Sequence, residues 1–571
     1  MTALPLQILN PAWWMGANSF RLIYAFMSMV TATAVARLVG NAIPRAVNNA
    51  ATLSTPTRQS PRSIGMISLL ALVILILVGY VAVAQRENFS DTDESYFTLF
   101  TLRGHNIAPP IWPDSGRFFP LAHQEFNLIR HFTSSGAGYH FVPISQIVIV
   151  SYIFFMLLED ALSVNARLAL TTVFLTLPSI VTSFTGLVFP ERNVVFWLAC
   201  LLLSVRAFAR TQSTAWAVTA GLSAQNMIYY KETAFLLLLG FAAGRLILRK
   251  KQMGGGWNCD WFRDKQNRLD LCFITLGLFF LAYYAATMIA HPNMQYAVKY
   301  QVSWGRALLY YVKLDLLPLL LVVVASRRAY LIWRRGLAPS PLWDGLAFGG
   351  VVCYAAYLCL RLSSRYYMAP VDFIALLYIG RFVYQSWGKL SLMNRAGTLM
   401  LALAVLVQGL SASAFLLYER ENLLQANAEL ADKVLAESLS AASPVKRLFF
   451  PFSGPNGIAE FASYLVYRDL PIERYETAVQ PAAQAGVILV SPTFSKDSPC
   501  VDYRDFICHA DVGPAPDDLI VILPGDQESL SANIHRRSGQ ILVSYEPRPR
   551  VPKWMYPVLI HWLHASALRT E

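Results

Sequence analysis

The sequence predicts a polytopic α-helical membrane protein with a small soluble domain at its C-terminal end. Hydrophobic residues make up 55% of the 571 residues, and the mean hydropathy is +0.42, which is typical of integral membrane proteins. About eleven apolar segments approach the roughly 20 residues that cross a bilayer as a helix. Lysine and arginine collect in alternate connections between these segments, as they do in cytoplasmic loops.

The first strongly apolar segment covers residues 64–84, and ten more follow it. Several are short, so we expect some spans to be tilted or broken. Residues 20–43 could form a twelfth span, or an amphipathic helix that lies in the membrane interface. The ten later segments cover residues 141–158, 167–189, 194–209, 215–230, 233–248, 271–290, 305–325, 344–361, 367–384 and 397–418.

Four regions follow from this pattern. Residues 1–63 form an N-terminal cytoplasmic or interfacial segment, residues 64–418 the transmembrane domain, residues 419–444 a connecting helix, and residues 445–571 an extracytoplasmic domain. We expect an α/β fold for the last region because its apolar runs are short and bounded by Pro, Gly and Asp. These runs cover residues 487–490, 519–523 and 541–543.

Cys500 and Cys508 both lie in the predicted extracytoplasmic domain. Disulfides form on the oxidising side of a membrane, so we expect these two cysteines to be bonded.

The net charge of +12 is explained by topology. Basic clusters such as residues 249–251 and 327–328 all fall on one side of the predicted membrane, which the positive-inside rule makes cytoplasmic. The sequence shows no basic and aromatic module of the kind that binds nucleic acid, so no nucleic-acid partner is expected.

Polar residues that could act in chemistry all fall on the opposite, outer side. They comprise an acidic cluster after the first span and three short groups between later spans. Their common side predicts an extracytoplasmic active site. The groups are Asp91 with Asp93 and Glu94, Glu191 with Arg192, Lys231 with Glu232, and Arg365 with Tyr366.

The acidic cluster suggests the catalytic residues. A carboxylate can act as general base on an acceptor hydroxyl, and we assign this role to Asp93 with Glu94 in support. Asp91 and Asp93 form a D-x-D pattern that could hold a divalent cation, Mg²⁺ or Mn²⁺, through oxygen ligands. The alternative is a solvated loop after a helix.

Arg117, Arg192, Lys231 and Arg365 could bind a phosphate group, with Tyr366 beside them. Glu191 and Glu232 would support them as neighbouring acids. Each has a plainer interpretation: a turn with an arginine at headgroup level, an outer turn, or an interfacial arginine and tyrosine belt. For Lys231 and Glu232 we favour a self-paired element that faces a cavity. The outer histidines, which include His123, match no zinc signature.

Several of these residues lie in motifs that resemble a known family. Asp93-Glu94-Ser-Tyr-Phe, Gly104 and Gly116-Arg117-Phe-Phe-Pro-Leu together resemble the first outer loop of the GT-C glycosyltransferase superfamily. The resemblance is closest to the branch of protein O-mannosyltransferases and lipid A aminoarabinose transferases. Arg365-Tyr366-Tyr367-Met-Ala-Pro is similar to that branch's late motif at a helix start. Arg117 stands where that branch has a lysine followed by two prolines.

The resemblance covers residues 64–418 and implies a GT-C-like fold and a glycosyltransferase. Such an enzyme moves a sugar from a polyprenyl-phosphate carrier to a glycan, glycolipid or protein outside the cytoplasm, by a single displacement with inversion. It would sit among the lipids of a bacterial inner (plasma) membrane, with the active site and C-terminal domain on the periplasmic face.

Three alternatives belong to other classes. An O-antigen polymerase or ligase would depend on arginine and histidine more than on an acidic first loop. A lipid-linked glycan transporter would keep its polar residues at mid-membrane on broken helices. In the third alternative the C-terminal domain is a binding module and the membrane part only anchors it.

Overall fold

The computed structural model describes residues 17–40, 64–86, 101–102, 104–113, 116–253, 261, 263–289, 303–362, 364–407, 409–410 and 413, together with six strands between residues 447 and 547. Asp91, Asp93 and Glu94 lie outside the described residues, and so do Cys500 and Cys508. The roles predicted for these five residues therefore stay predictions.

Helices dominate the described chain up to residue 407. The first half contains α1 (Ala17–Gly40), α2 (Ile64–Arg86), α3 (Gln124–Ile129), α4 (Gly136–Leu157), α5 (Val164–Leu175), α6 (Pro178–Thr185), α7 (Glu191–Thr211) and α8 (Thr214–Tyr230). The second half contains α9 (Ala234–Met253), α10 (Lys265–Tyr284), α11 (Trp304–Leu314), α12 (Leu317–Arg334), α13 (Pro341–Cys359), α14 (Ala369–Ser386) and α15 (Leu392–Val407).

Seven of the described helices are long and apolar enough to cross a membrane, or eight if α5 and α6 count as one bent span. This confirms a polytopic helical membrane protein. Residues 18–38 of α1 are among the seven, so the optional first span exists as a helix of sufficient length. The core is apolar and continuous from α1 to α14.

Two predicted spans are broken rather than continuous. The segment 167–189 divides into α5 and α6, which meet at an angle of 64° just before Pro178. Proline fits the first turn of a helix but cannot continue one, which explains the break. Carbonyl groups freed at this break are satisfied, because the Tyr80 hydroxyl donates to Leu175 O at 2.8 Å and the Ser413 hydroxyl donates to Thr176 O at 2.7 Å.

The segment 305–325 divides into α11 and α12, with Asp315 and Leu316 between them. Asp315 has an extended φ of −150° there. Lys313, Asp315 and Pro318 stand at this break in the sequence, but hydropathy averaged over the segment does not report where a helix changes direction.

Glycines let α9 and α13 approach closely. A Cβ atom at Gly240 would stand 2.9 Å from Gly349 Cα, and one at Gly244 would stand 3.1 Å from Gly345 Cα. Each helix thus presents two glycines four residues apart to the other, an arrangement that favours close packing of helices in membranes.

Two short strands between α2 and α3, β1 (Ile111–Trp112) and β2 (Arg117–Phe118), form a hairpin, and the six C-terminal strands form one sheet. The six strands are β3 (Arg447–Phe449), β4 (Arg474–Glu476), β5 (Val487–Val490), β6 (Ile520–Ile522), β7 (Leu530–Arg537) and β8 (Gln540–Pro547), in the order β4-β3-β5-β6-β8-β7. All neighbours are parallel except β7 and β8. The three apolar runs predicted as strands are β5, β6 and part of β8. The connections between these strands lie outside the described residues, so the α/β assignment of this domain stays a prediction.

Candidate active site

The candidate site lies where four connections meet at one end of the helical bundle. We call this the site end and define it by residues 104–135, 186–190, 231–233 and 360–368. A backbone hydrogen bond joins the first of these connections to the end of α8, since Leu121 N–H donates to Tyr229 O at 3.2 Å. The opposite end carries the basic connections around residues 206–213 and 327–340 and is called the basic end.

A short hairpin positions Arg117. Strands β1 (Ile111–Trp112) and β2 (Arg117–Phe118) pair antiparallel. Gly116 begins the return with φ +67°, a conformation that costs a glycine little but strains other residues. The Phe118 ring is fully buried among aromatic rings, with centroids 5.3 Å from Tyr283 and 5.5 Å from Phe280. Burial of Phe118 fixes its neighbour Arg117 at the site end.

Arg117 pairs with Glu232. Its Nε atom lies 2.6 Å from Glu232 Oε1, and the two side chains are 11% and 17% exposed. The guanidinium also lies over the Phe119 ring, 4.5 Å from its centroid. Burial would raise the pKa of Glu232, but Arg117 and Lys231 outweigh it and hold the pKa below its usual value. Arg117 and Glu232 therefore stay charged at neutral pH.

Lys231 pairs with Glu191 deeper in the protein. Its Nζ atom lies 2.8 Å from Glu191 Oε1, with the side chains 6% and 0% exposed. Nζ also lies 4.6 Å from the Tyr367 ring centroid, a cation–π distance. Burial would lower the pKa of Lys231, but Glu191 and Glu232 outweigh it, so the pKa lies above its usual value. A buried pair of this kind costs several kcal/mol if one partner is removed.

Arg192 holds the connection before α7 in place. One guanidinium nitrogen donates to Gly186 O at 3.3 Å and to Leu187 O, and the other donates to the Glu125 carboxylate. Asn193 adds a second hydrogen bond to the same Glu125 oxygen at 3.1 Å. Most donors of this arginine are thus engaged by the protein, so its geometry favours an anchoring role over direct phosphate binding.

His123 lies among the three cations. It is 5% exposed and precedes α3 with a left-handed φ of 64°. Burial and the nearby charges of Arg192, Lys231 and Arg117 lower the pKa of His123 to about 3. The imidazole is therefore neutral at physiological pH. An anion that binds between these cations would reduce that electrostatic penalty.

A 3₁₀ turn at Arg365–Met368 closes one side of the site. Tyr366 packs on Phe189 with ring centroids 4.6 Å apart, and Tyr367 stacks on Tyr357 at 5.1 Å. The Tyr357 hydroxyl is 2.6 Å from the Thr233 hydroxyl, next to Glu232. Arg365 itself is only partly buried. The late motif thus contacts the site through its tyrosines.

The structure brings together most of the predicted site residues that it describes. Arg117, Glu191, Arg192, Lys231 and Glu232 lie in one charged cluster, with Tyr366 and Arg365 on the adjoining turn. The predicted self-pairing of Lys231 with Glu232 is wrong, because each pairs with a residue from another connection. The α8 helix ends at Tyr230, so the two side chains point to different partners.

Two residues of the cluster were not predicted from the sequence. Glu125 closes the outer loop against Arg192, and its second oxygen, Oε2, is buried without a hydrogen-bond partner among the described residues. His123 was noted only as a poor zinc ligand. No spacing rule would have found Glu125, because its partner Arg192 lies 67 positions away along the chain.

Chemically, the cluster can hold an anion and accept a proton. Its three buried cations, Arg117, Arg192 and Lys231, are each paired with one glutamate. A cation whose pair opens can bind an anion. Arg117 is the more exposed of the cations whose pairs are described, so its pair can open most readily to a ligand. Among the described residues, no group of three or more histidine, cysteine, aspartate or glutamate side chains could hold a metal ion.

No protein-family model and no curated protein matches the sequence. Among solved structures, the apo oligosaccharyltransferase of Archaeoglobus fulgidus is 10% identical, with a TM-score of 0.41, and the match covers 70% of this chain and 64% of that one. The oligosaccharyltransferase AglB of the same organism, in complex with an inhibitory peptide and a dolichol-phosphate, is 11% identical, with a TM-score of 0.42 and coverage of 66% and 58%.

A third structure, ArnT from Cupriavidus metallidurans bound to undecaprenyl phosphate, is 12% identical, with a TM-score of 0.41 and coverage of 77% and 87%. This chain spans less than two thirds of the archaeal enzymes it matches. At these identities and TM-scores, the likeness decides neither the activity nor the substrate of this chain.

Proposed function

We propose that this protein is a membrane glycosyltransferase that moves a sugar from a polyprenyl-phosphate carrier to an acceptor at the site end. The observation that carries the proposal is the cluster of Arg117, Lys231 and Arg192 around His123, buried where the helical bundle meets its outer connections. A lipid phosphate places its charge at this level of a membrane, and buried cations are expensive unless they serve a charged partner.

Transfer would be a single displacement. The acceptor oxygen attacks the anomeric carbon of the sugar while the bond from that carbon to the phosphate oxygen breaks. Polyprenyl phosphate leaves with the bonding electron pair, and the acceptor proton passes to a carboxylate. Asp93 is the predicted base, with Glu94 in support. Glu125 is the base candidate among the described residues, because its Oε2 atom is buried and unoccupied by a donor.

The four predicted phosphate ligands would have two different roles, direct contact with the phosphate and electrostatic support. Arg117 and Arg365 are accessible enough to contact the leaving phosphate directly. Lys231 and Arg192 are nearly fully buried. They would attract the phosphate through their charge without contacting it, and they would hold the connections in place. A divalent cation at Asp91 and Asp93 would add to the same positive potential and stays part of the proposal.

The test uses the full chain reconstituted in liposomes with a panel of polyprenyl-phosphate sugars and envelope glycans, glycolipids and proteins as acceptors. We expect release of free polyprenyl phosphate together with a glycosylated acceptor. Arg117→Ala should abolish or strongly slow this release. Arg210→Ala, a matched control at the basic end, should not. If no donor in the panel is cleaved while the protein remains folded, the proposal fails.

A lipid-linked glycan transporter is the second candidate, because one observation favours it. The bundle contains two broken helices, α5–α6 and α11–α12, with buried acids beside them. Such features line the pathways of transporters. The same liposomes separate the two functions: a transporter moves the lipid-linked sugar across the bilayer intact, whereas a transferase breaks its sugar–phosphate bond.

A further inference from the structure

Two acids outside the candidate active site contact each other where helices α6, α12 and α14 begin. Asp372 lies in the first turn of α14 and is 1% exposed. Its Oδ2 atom accepts a hydrogen bond from the Ser179 hydroxyl of α6 at 2.5 Å. Asp315 occupies the break between α11 and α12. Its carboxyl group lies within hydrogen-bonding reach of the Asp372 carboxyl group and of the backbone N–H of Leu317.

Among the described side chains, no cation balances the charge of this pair. Within the described chain, no lysine or arginine forms an ion pair with Asp315 or Asp372. Two ionised carboxylates can only accept hydrogen bonds, so a bond between them requires a proton on one of them. Asp372 Oδ1 is buried and has no other donor among the described residues. A shared proton satisfies that atom and removes one of two buried negative charges.

Two uncommitted hydroxyl groups lie on helices that contribute to or contact the pair. The Tyr354 hydroxyl of α13 is buried without a partner in the described structure, and Asp315 acts on it electrostatically. Its ring packs edge-on against Tyr311, 5.0 Å between centroids, whose hydroxyl is already used by Leu362 O. Ser183, one turn after Ser179 on α6, also has a buried hydroxyl without a partner. These groups can solvate a carboxyl pair as its charge changes.

The surroundings favour a proton over a metal ion as the occupant. The N-termini of three helices point their partial positive charge toward this place, which stabilises an anion and opposes a cation. A pair with one proton carries a single negative charge and meets that requirement. Among the described side chains, the titratable group that acts on the pair is Tyr354 of α13. Tyr311 of α11 packs against Tyr354, and α6 supplies serine hydroxyls.

We propose that Asp315 and Asp372 form a proton-binding site that holds one proton at neutral pH, and that loss of this proton separates the α11–α12 break from α14. Two ionised carboxylates in contact repel strongly away from water. The backbone can change conformation most easily at Asp315, because the helical hydrogen bonds of α11 and α12 do not continue across this break. The site does not depend on the proposed sugar transfer.

Infrared spectroscopy of the reconstituted full chain tests the shared proton. We expect a protonated-carboxyl band that persists at neutral pH and disappears only as the pH is raised further, whereas an ordinary aspartate loses its proton near pH 4. Asp315→Asn and Asp372→Asn should each abolish this band. Asp160→Asn, which removes an exposed acid at the basic end, should leave it unchanged. A wild-type protein without the band at neutral pH, or with the band intact in both variants, would overturn the proposal.

Hydrogen exchange of residues 303–316 tests the separation. Exchange of this segment, after correction for the intrinsic effect of pH, should accelerate over the pH range in which the band disappears. Asp315→Asn should remove that acceleration because the amide cannot ionise. If Asp372→Asn fails to fold, Asp315→Asn alone still decides both measurements. Unchanged exchange in wild type across that range would overturn the separation.

Discussion

The two arginines of the site differ in the exposed fraction of their side chains. Arg192 donates to backbone carbonyls of the preceding connection and to Glu125, and it is 1% exposed. Arg117 is tied mainly to Glu232 and to the face of Phe119, and it is more exposed. We therefore expect the two arginines to serve different purposes, with Arg192 stabilising the site and Arg117 contacting the donor.

Substitutions at the two arginines should separate these purposes. Arg117→Ala should weaken donor binding by roughly 1.5–3 kcal/mol, the size of a hydrogen bond to a charged group, and should lower the melting temperature less than Arg192→Ala does. Arg192→Ala should instead destabilise the fold by about 3–5 kcal/mol, because it leaves Glu125 buried and unpaired. Donor titration and thermal unfolding in detergent measure both. Equal effects of the two variants on both quantities would contradict the division of roles.

The base can be identified by conservative removal of carboxylates. Asp93→Asn keeps the shape but removes the proton acceptor, so turnover should fall by roughly 10²–10⁴ while donor binding survives. Glu125→Gln tests the other candidate in the same assay. A near-normal rate for Asp93→Asn with a large loss for Glu125→Gln would transfer the role to Glu125. Retained transfer in single variants of Asp91, Asp93, Glu94, Glu125 and Glu191 would end the carboxylate-base mechanism. An essential Asp93 would also exclude the polymerase or ligase alternative.

His123 should make the folded protein acid-sensitive. The pKa of His123 is about 3 in the folded protein and near the usual 6.5 in the unfolded chain. Between these two pH values the unfolded chain binds a proton that the folded protein does not bind. Stability must then fall as the pH drops from about 6.5 toward 3. His123→Asn removes this titration and tolerates the left-handed φ. Its melting temperature should fall less between pH 7 and pH 4 than that of wild type, whereas His131→Asn, at an exposed histidine, should behave as wild type. Identical pH dependence in all three proteins would contradict the assignment.

At the scale of elements, the α9–α13 contact connects packing to the site. Helix α9 starts directly after Lys231, Glu232 and Thr233, and α13 carries Tyr357, which contacts Thr233. The glycines that let these helices approach therefore also set the position of the paired charges. A change in helix separation of a few tenths of an ångström would alter the short contacts of the site.

Gly349→Val tests this dependence. Its Cβ atom would stand 2.6 Å from Leu237 O and 2.9 Å from Phe241 N, both backbone atoms of α9. The helices must separate, and overpacking of this kind costs about 1–3 kcal/mol. We expect a lower melting temperature and slower transfer. Gly79→Val in α2, where nothing lies within 4 Å of the added Cβ atom, should change neither. Normal stability of Gly349→Val would show that α9 and α13 are less closely packed.

At the scale of the whole molecule, the charge distribution predicts orientation. The basic end should face the cytoplasm and the site end the opposite compartment. Cysteines introduced at Ser134 and Ser364 should react with a membrane-impermeant thiol reagent added outside intact cells. Cysteines at Gln212 and Ser391 should react only after permeabilisation. Wild-type protein provides the background from its own cysteines. Labelling of Ser134→Cys or Ser364→Cys from the cytoplasmic side alone would reverse the topology.

The sequence by itself determined the membrane class, most of the described helical segments, and the positions Arg117, Glu191, Arg192, Lys231 and Glu232 of the charged cluster. Apolar length and alternating basic loops are local properties of the chain, and the free energy of placing them in a bilayer is nearly additive along the sequence. The strands β5 and β6 were found in the same way, from short apolar runs between turn residues.

Only the tertiary structure decided which charges pair and what each can do. Glu191 with Lys231, Glu232 with Arg117 and Glu125 with Arg192 join positions far apart in the chain. Partner choice among buried charges depends on distances and desolvation that exist only after the helices have packed. The breaks before α6 and α12 belong to the same category, as does the contact of Asp315 with Asp372. A neighbouring opposite charge in the sequence, such as Glu232 beside Lys231, is therefore a poor guide to the charge that a buried side chain meets.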